Sequence, residues 1–169
     1  KSAGYALRNF VARTKQWYHR YVNVFYVQTH FQKRMLIENG FPDAQIEVIP
    51  NMVSSGSVAY TPGSYIGYLG RISEEKGIGT FLKAAEQLKH IPFKVAGAVG
   101  MKGFSPESLP KNVDYLGFLD KEQKRSFIRD SAAIVVPSVC YEGLPGSILE
   151  AMSIGKPVVC SAIGGLPEI

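Results

Sequence analysis

"AAIVVPSVCYEGLPGSILEAMSIGKPVVC", Ala132 to Cys160, decides the fold. "AAIVVP" is a continuous apolar, β-branched run, the pattern of a strand buried on both faces. "GSILEAMSIG" has helical spacing and is closed by Gly155. "PVVC" is a second apolar strand. Two buried strands joined through a helix form the crossover unit of a parallel sheet. Between the first strand and the helix lies a loop of glycine and proline with an acid at Glu142, and a second acid, Glu150, follows within the helix. No basic residue lies between them. Two carboxylates at the edge of an apolar core need partners or a ligand.

The alternation extends toward the N-terminus. Strands are expected at Tyr65–Gly70, Phe93–Ala98, Val113–Leu119 and Ala132–Pro137. Helices are expected at Gly79–Lys89 and over 120–131, the latter opened by a capping box of Asp120 and Gln123. A further helix is expected near Pro167. This is α/β: a Rossmann-like parallel sheet with helices on both faces. "MVSSGSVAYTPGS" is small, polar and broken by Pro62 and Gly63, which marks a hinge. Before it, Val22–Gln28 and Ile46–Asn51 read as strands. The helix between them has Thr29 as N-cap, Phe31, Met35 and Leu36 on its apolar face, and Gly40 as its stop. The expected domains are 1–52, a hinge at 53–63, and 64–169.

The chain has 169 residues, 46% apolar and 20% charged, an ordinary globular composition. No apolar run approaches the ~18 residues of a membrane span. Arg8, Arg13 and Lys15 interrupt any signal-peptide core. The chain begins at Lys1 and stops inside a pattern, at "GGLPEI", so it reads as a segment of a longer protein. Cys140 and Cys160 do not make a disulfide framework and read as small core residues in a reducing, cytoplasmic setting. His19, His30 and His90 are scattered, so no metal site is assigned.

Charge is uneven. Residues 1–37 hold seven basic residues and no acid; with a net charge of +5, the remainder sums to −2. The basic part also carries Tyr5, Leu7, Phe10, Trp17, Tyr18 and Tyr21. One reading is an amphipathic helix touching a polyanionic substrate, or anionic lipid in peripheral contact at the inner face of the membrane. The other is a solvated helix with its aromatics in a core. No recognition motif accompanies the charge, so nucleic acid is not an expected partner.

In parallel sheets of this kind, ligands bind beyond the carboxyl ends of the strands. The residues there are Gly70, Arg71 and Lys76 after one strand and Gly97 after the next. Gly117, Phe118 and Leu119 follow, and then the Glu142 loop. In "GRISEEKG", Arg71 and Lys76 precede a helix N-terminus. An arginine fork, a lysine point charge and free amides together suit a diphosphate. Glu74 and Glu75 would repel such a ligand and are expected to face outward. Glu142 and Glu150 open onto the same edge, and a carboxylate can accept two hydroxyls of a sugar or ribose. Gly143, Leu144, Pro145, Gly146 and Ser147 border the next helix N-terminus, where amides can meet phosphate or sugar oxygens. Pro145 donates no N–H there, which leaves Gly146 as a donor. Acids for a polyol and cations for a diphosphate describe one ligand, a nucleotide-diphosphate sugar. Neither a P-loop nor G-x-G-x-x-G is present.

"YLGRISEEKGI" followed by "VPSVCYEGLPGSILEAMSIGKPVVCSAIGGLPEI" resembles the group 1 (family 4) retaining glycosyltransferases of GT-B architecture. The likeness runs from about Val22 to the end. It implies that the chain is the donor-binding C-terminal domain, incomplete, with the end of the N-terminal acceptor-side domain. It implies hexosyl transfer from a UDP- or GDP-sugar with retention of configuration and no metal or other cofactor. It gives Glu142 the donor sugar, Glu150 the ribose, and Arg71 and Lys76 the diphosphate. The catalytic residues so implied are Glu142, Arg71 and Lys76. The acceptor, whether carbohydrate, lipid or small molecule, stays open. Two other classes stay open too: a nucleotide-sugar binding module without transfer activity, and an epimerase or phosphorylase on the same scaffold.

Overall fold

A computed structural model of the chain describes residues 2–53 and 62–169. It divides into two compact units, residues 1–50 and 51–169. Most of the expected hinge, residues 54–61, lies outside the described residues.

The first unit contains α1 (Ser2–Thr14), α2 (Trp17–Tyr21), β1 (Phe25–Val27), α3 (His30–Glu38) and β2 (Ile46–Val48). β1 and β2 pair in parallel, with Phe25 opposite Ile46. Both strands are shorter than the apolar runs suggested. The buried Thr29 caps α3 by accepting the Gln32 N–H at 3.2 Å. Phe31, Met35 and Leu36 are only half-buried. On α1, Ala12 is buried, but Tyr5, Leu7 and Phe10 are about two-thirds exposed. Among the described residues, then, these three side chains are not in a core. Among the described residues, no helix is long and apolar enough to cross a membrane.

The second unit holds β3 (Tyr65–Leu69), α4 (Ile78–Gln87), β4 (Phe93–Ala96) and β5 (Val113–Tyr115). It continues with α5 (Lys121–Asp130), β6 (Ser131–Val136), α6 (Gly146–Ser153) and β7 (Val158–Cys160). All five strands are parallel, in the order β5-β4-β3-β6-β7. The chain winds outward from β3 in one direction, then returns to β3's other side with β6. That is the Rossmann arrangement, and its switch point lies between β3 and β6.

Alternate residues of the strands feed two cores. Tyr65, Ile134 and Val136 pack with Phe127 and Ile128 of α5 and Ile148 and Ala151 of α6. Tyr68, Phe93, Val95 and Val113 pack with Ile78, Phe81 and Ala85 of α4. Period-two alternation supplies both faces from continuously apolar strands. The Tyr65 hydroxyl donates to the Phe127 carbonyl at 2.6 Å. Burial, with Asp130 nearby, pushes its pKa up to about 12, so it remains a donor. The capping box forms: Asp120 accepts the Gln123 N–H at 2.9 Å, and Gln123 accepts the Asp120 N–H at 3.0 Å.

Several expectations shift. β5 ends at Tyr115, not Leu119, because its partner β4 ends at Ala96. A 3-10 turn, Glu74–Lys76, precedes α4. Near Pro167 the described residues end in a 3-10 turn, Leu166–Glu168. Among the described residues neither cysteine is in the core: Cys140 is half-buried, and Cys160 is exposed on β7, which pairs there with β6 alone.

Phe127 joins the sheet to α5 at 4% exposure and stacks 5.4 Å from Tyr65. Phe127→Ala is expected to cost about 3–5 kcal/mol through lost burial and a cavity. Urea unfolding of the intact protein measures this; a loss below about 1 kcal/mol would contradict the packing described.

Candidate functional site

The site forms where the loops after β3 and β6 meet at the switch point. The loop after β3 carries Arg71 and Lys76. It is held from below by Tyr68, whose hydroxyl donates to the Arg71 carbonyl at 2.7 Å. Burial, and then the charges of Glu75 and Glu142, raise the Tyr68 pKa far above its ordinary value. The phenol therefore stays a donor at any physiological pH.

This loop presses against the end of β6. Gly77 has φ 75°, and a Cβ there would overlap the Pro137 carbonyl oxygen. The backbone needs glycine for both conformation and room. The Val139 N–H donates to the Glu75 carbonyl at 3.0 Å. The two loops are thus joined by backbone contacts as well as by side chains.

Glu142 lies on the β6 side of this junction, with its side chain 12% exposed. Lys76 Nζ donates to its Oε1 at 2.6 Å, and so does Ser138 Oγ, also at 2.6 Å. The loop after β7 clamps it from behind. The Gly165 N–H donates to the Glu142 carbonyl at 2.8 Å, and a Cβ on Gly164 would lie 2.7 Å from the Glu142 backbone nitrogen. Pro145 is the N-cap of α6, and its carbonyl accepts the Ile148 N–H at 3.1 Å.

Glu150 projects from α6 toward α5. Lys124 Nζ donates to its Oε1 at 2.7 Å. Its Oε2 is shielded from solvent and accepts no hydrogen bond. Arg71 is more open: its guanidinium, 58% exposed, pairs with Glu75 at 2.9 Å. Glu74 is exposed, as expected, but Glu75 is half-buried and turned onto Arg71 rather than away from it.

Two neighbouring cavities take in most of the expected residues. A small one of ≈ 80 Å³ is lined by Gly70, Lys76, Glu142, Pro145 and Ser147, with Tyr68 and Ser138. A larger one of ≈ 650 Å³ is lined by Gly70, Arg71, Gly97, Phe118, Leu119, Gly146, Ser147 and Glu150, joined by Asp120, Lys121 and Lys124. Gly117, Gly143 and Leu144 line neither. The Leu144 carbonyl instead accepts from Asn51 Nδ2 at 3.2 Å. Phe118, 78% exposed, stands at the rim of the larger cavity. Among the described residues, no group of three or more His, Cys, Asp or Glu could hold a metal ion.

Sequence reasoning missed Tyr68, Ser138 and Lys124. Ser138 stands four residues before Glu142, so a local side-chain bond was there to be read. Tyr68 resembled any buried strand residue. Lys124 meets Glu150 only through the packing of α5 beside α6.

The arrangement can grip an anion with Arg71 and Lys76, and hydroxyls with Glu142 and Glu150. Residues 63–169, well over half of the chain, match the family model for glycosyl transferases group 1. The D-inositol 3-phosphate glycosyltransferase of Mycolicibacterium smegmatis is 28% identical over 156 residues, covering 83% of this chain and 36% of that protein. An uncharacterised glycosyltransferase of Methanocaldococcus jannaschii is 30% identical over 110 residues, covering 60% of this chain and 28% of its own. The chain thus spans well under half the length of these curated relatives. HepE of Anabaena, solved with UDP-glucose, superposes with a TM-score of 0.79 over 89% of this chain and 48% of its own, at 20% identity. TarM superposes with a TM-score of 0.69 over 89% of this chain and 32% of its own, at 25% identity. The fold is the parallel α/β fold of GT-B glycosyltransferases, and the chain belongs to the group 1 glycosyltransferase family.

Proposed function

We propose that the intact protein transfers a hexosyl unit from a nucleotide-diphosphate sugar to an acceptor, with retention at the anomeric carbon and without a metal. One observation carries this reading: Arg71, Lys76, Glu142 and Glu150 converge on the switch point between β3 and β6. HepE, which shares the fold, has been seen with UDP-glucose and with UDP. That supports a nucleotide-sugar as the class of donor.

The roles follow from chemistry and position. Arg71 and Lys76 meet the diphosphate and stabilise the charge that grows on it as the glycosidic bond breaks. Lys76 is then shared between phosphate and Glu142. Glu142, held by Ser138 and the β7 loop, accepts hydroxyls of the sugar. Glu150 accepts the ribose hydroxyls. The bond from the anomeric carbon to the phosphate oxygen breaks, and one to an acceptor oxygen forms on the same face. The acceptor hydroxyl's proton leaves with the departing diphosphate. Product analysis with labelled UDP- and GDP-sugars on the intact protein tests the reading; hydrolysis alone, or epimerised sugar still on the nucleotide, would overturn it.

Three outcomes are expected. Arg71→Ala or Lys76→Ala weakens nucleotide-diphosphate binding by ten- to a hundredfold, from about 1.5–3 kcal/mol per charge-assisted contact. The loss for the bare nucleoside is much smaller, and equal losses would contradict the assignment. A chelator leaves turnover unchanged; abolished turnover would show a needed metal. Glu150→Gln weakens every ligand that carries the ribose. Glu142→Gln leaves the bare diphosphate nearly unaffected while lowering turnover, because the amide keeps the shape but loses the charge-assisted hydrogen bonds. Calorimetry with both variants separates the roles; similar diphosphate losses would refute the division.

A further inference from the structure

We propose that Lys124 is a positioning residue for the ribose-binding carboxylate of Glu150, a role that rests on the glycosyltransferase reading above. Lys124 sits in the second turn of α5. The capping box fixes the first turn, and the Lys124 N–H donates to the Asp120 carbonyl at 2.9 Å. Phe127 and Ile128, both buried, anchor the same helix on the sheet. Lys124 is therefore delivered to the cavity from a fixed base. Its ammonium reaches across to α6 and donates to Glu150 Oε1 at 2.7 Å. Both side chains are about one-third exposed, and both line the ≈ 650 Å³ cavity with Arg71, Gly97 and Phe118.

The pairing is asymmetric. Oε1 has a strong donor, and the shielded Oε2 has none. A carboxylate oxygen withdrawn from water without a donor costs stability until one arrives. Glu150 carries three rotatable bonds, and ordering them on binding would weaken affinity. Lys124 settles that cost in advance by holding one oxygen. The last torsion of a glutamate is soft. A small rotation about it turns Oε2 into the cavity while the contact to Lys124 is kept. The ribose 2′- and 3′-hydroxyls are then the donors that satisfy it.

Calorimetry on the intact protein tests this with UDP, GDP and ADP and their 2′,3′-dideoxy counterparts. Lys124→Met keeps the aliphatic stem and removes the charge. It is expected to weaken the diphosphate that the wild type binds by about tenfold, the scale of one charge-assisted hydrogen bond. The loss is expected to vanish with the dideoxy diphosphate, to be largely restored in Lys124→Arg, and to fall below about twofold when Glu150→Gln is already present. A Lys124→Met protein that binds like the wild type would overturn the proposal and leave the glycosyltransferase reading standing. So would an equal loss for the dideoxy diphosphate, which would make Lys124 a phosphate contact. If the wild type binds none of the three diphosphates, both fall.

Discussion

The ion pair between Lys76 and Glu142, 2.6 Å across the switch point, is the constraint on which the site depends. It joins two loops that the chain makes 66 residues apart. Glu142 is almost enclosed. With Lys76 removed, its charge would keep only the Ser138 hydroxyl as a side-chain donor. A charge left without its partner at low exposure is strongly destabilising. The backbone around it is built to the same end. Gly77 lies against the Pro137 carbonyl, Val139 bonds to Glu75, and the glycines after β7 close over Glu142. Fold and site are therefore not separable here: the contacts that close the carboxyl edge of the sheet are those that aim the charged groups.

Three cations of the site are each matched by an acid: Arg71 by Glu75, Lys76 by Glu142, Lys124 by Glu150. A ligand enters by exchanging partners. A bare anion shares Lys76 with Glu142 but brings the acids no hydroxyl donors. A bare polyol satisfies the acids but brings no negative charge to the cations. A molecule that carries a diphosphate and hydroxyls at fixed separation can satisfy both at once. Selectivity of this kind comes from the cost of unpaired groups as much as from new contacts.

Much of this was legible in the sequence. The alternation of apolar strands with helices implies a parallel sheet, since strands buried on both faces lose their polar alternation. Thr29 and Asp120 mark helix starts because their side chains bond locally. Glu142 and Glu150 draw notice because no basic residue lies between them. Their answering cations, Lys76 and Lys124, are remote in sequence and become neighbours only through strand order and the packing of α5 beside α6. Strand order itself is a property of pairing, and single-sequence periodicity does not carry it. Cys160 looked like a core residue because its strand is apolar, but among the described residues β7 pairs with β6 alone and Cys160 is exposed. The exposure of Tyr5, Leu7 and Phe10 is likewise a matter of what else packs nearby, which local pattern does not record.

The most direct measurement is a crystal structure of the intact protein with a nucleotide-diphosphate sugar bound. Density is expected in the cavity between the loops after β3 and β6, with the phosphates at Arg71 and Lys76, the ribose at Glu150 and the hexose at Glu142. A nucleotide-sugar bound elsewhere on the protein, with the Lys76–Glu142 and Arg71–Glu75 pairs undisturbed, would contradict the assignment of this site.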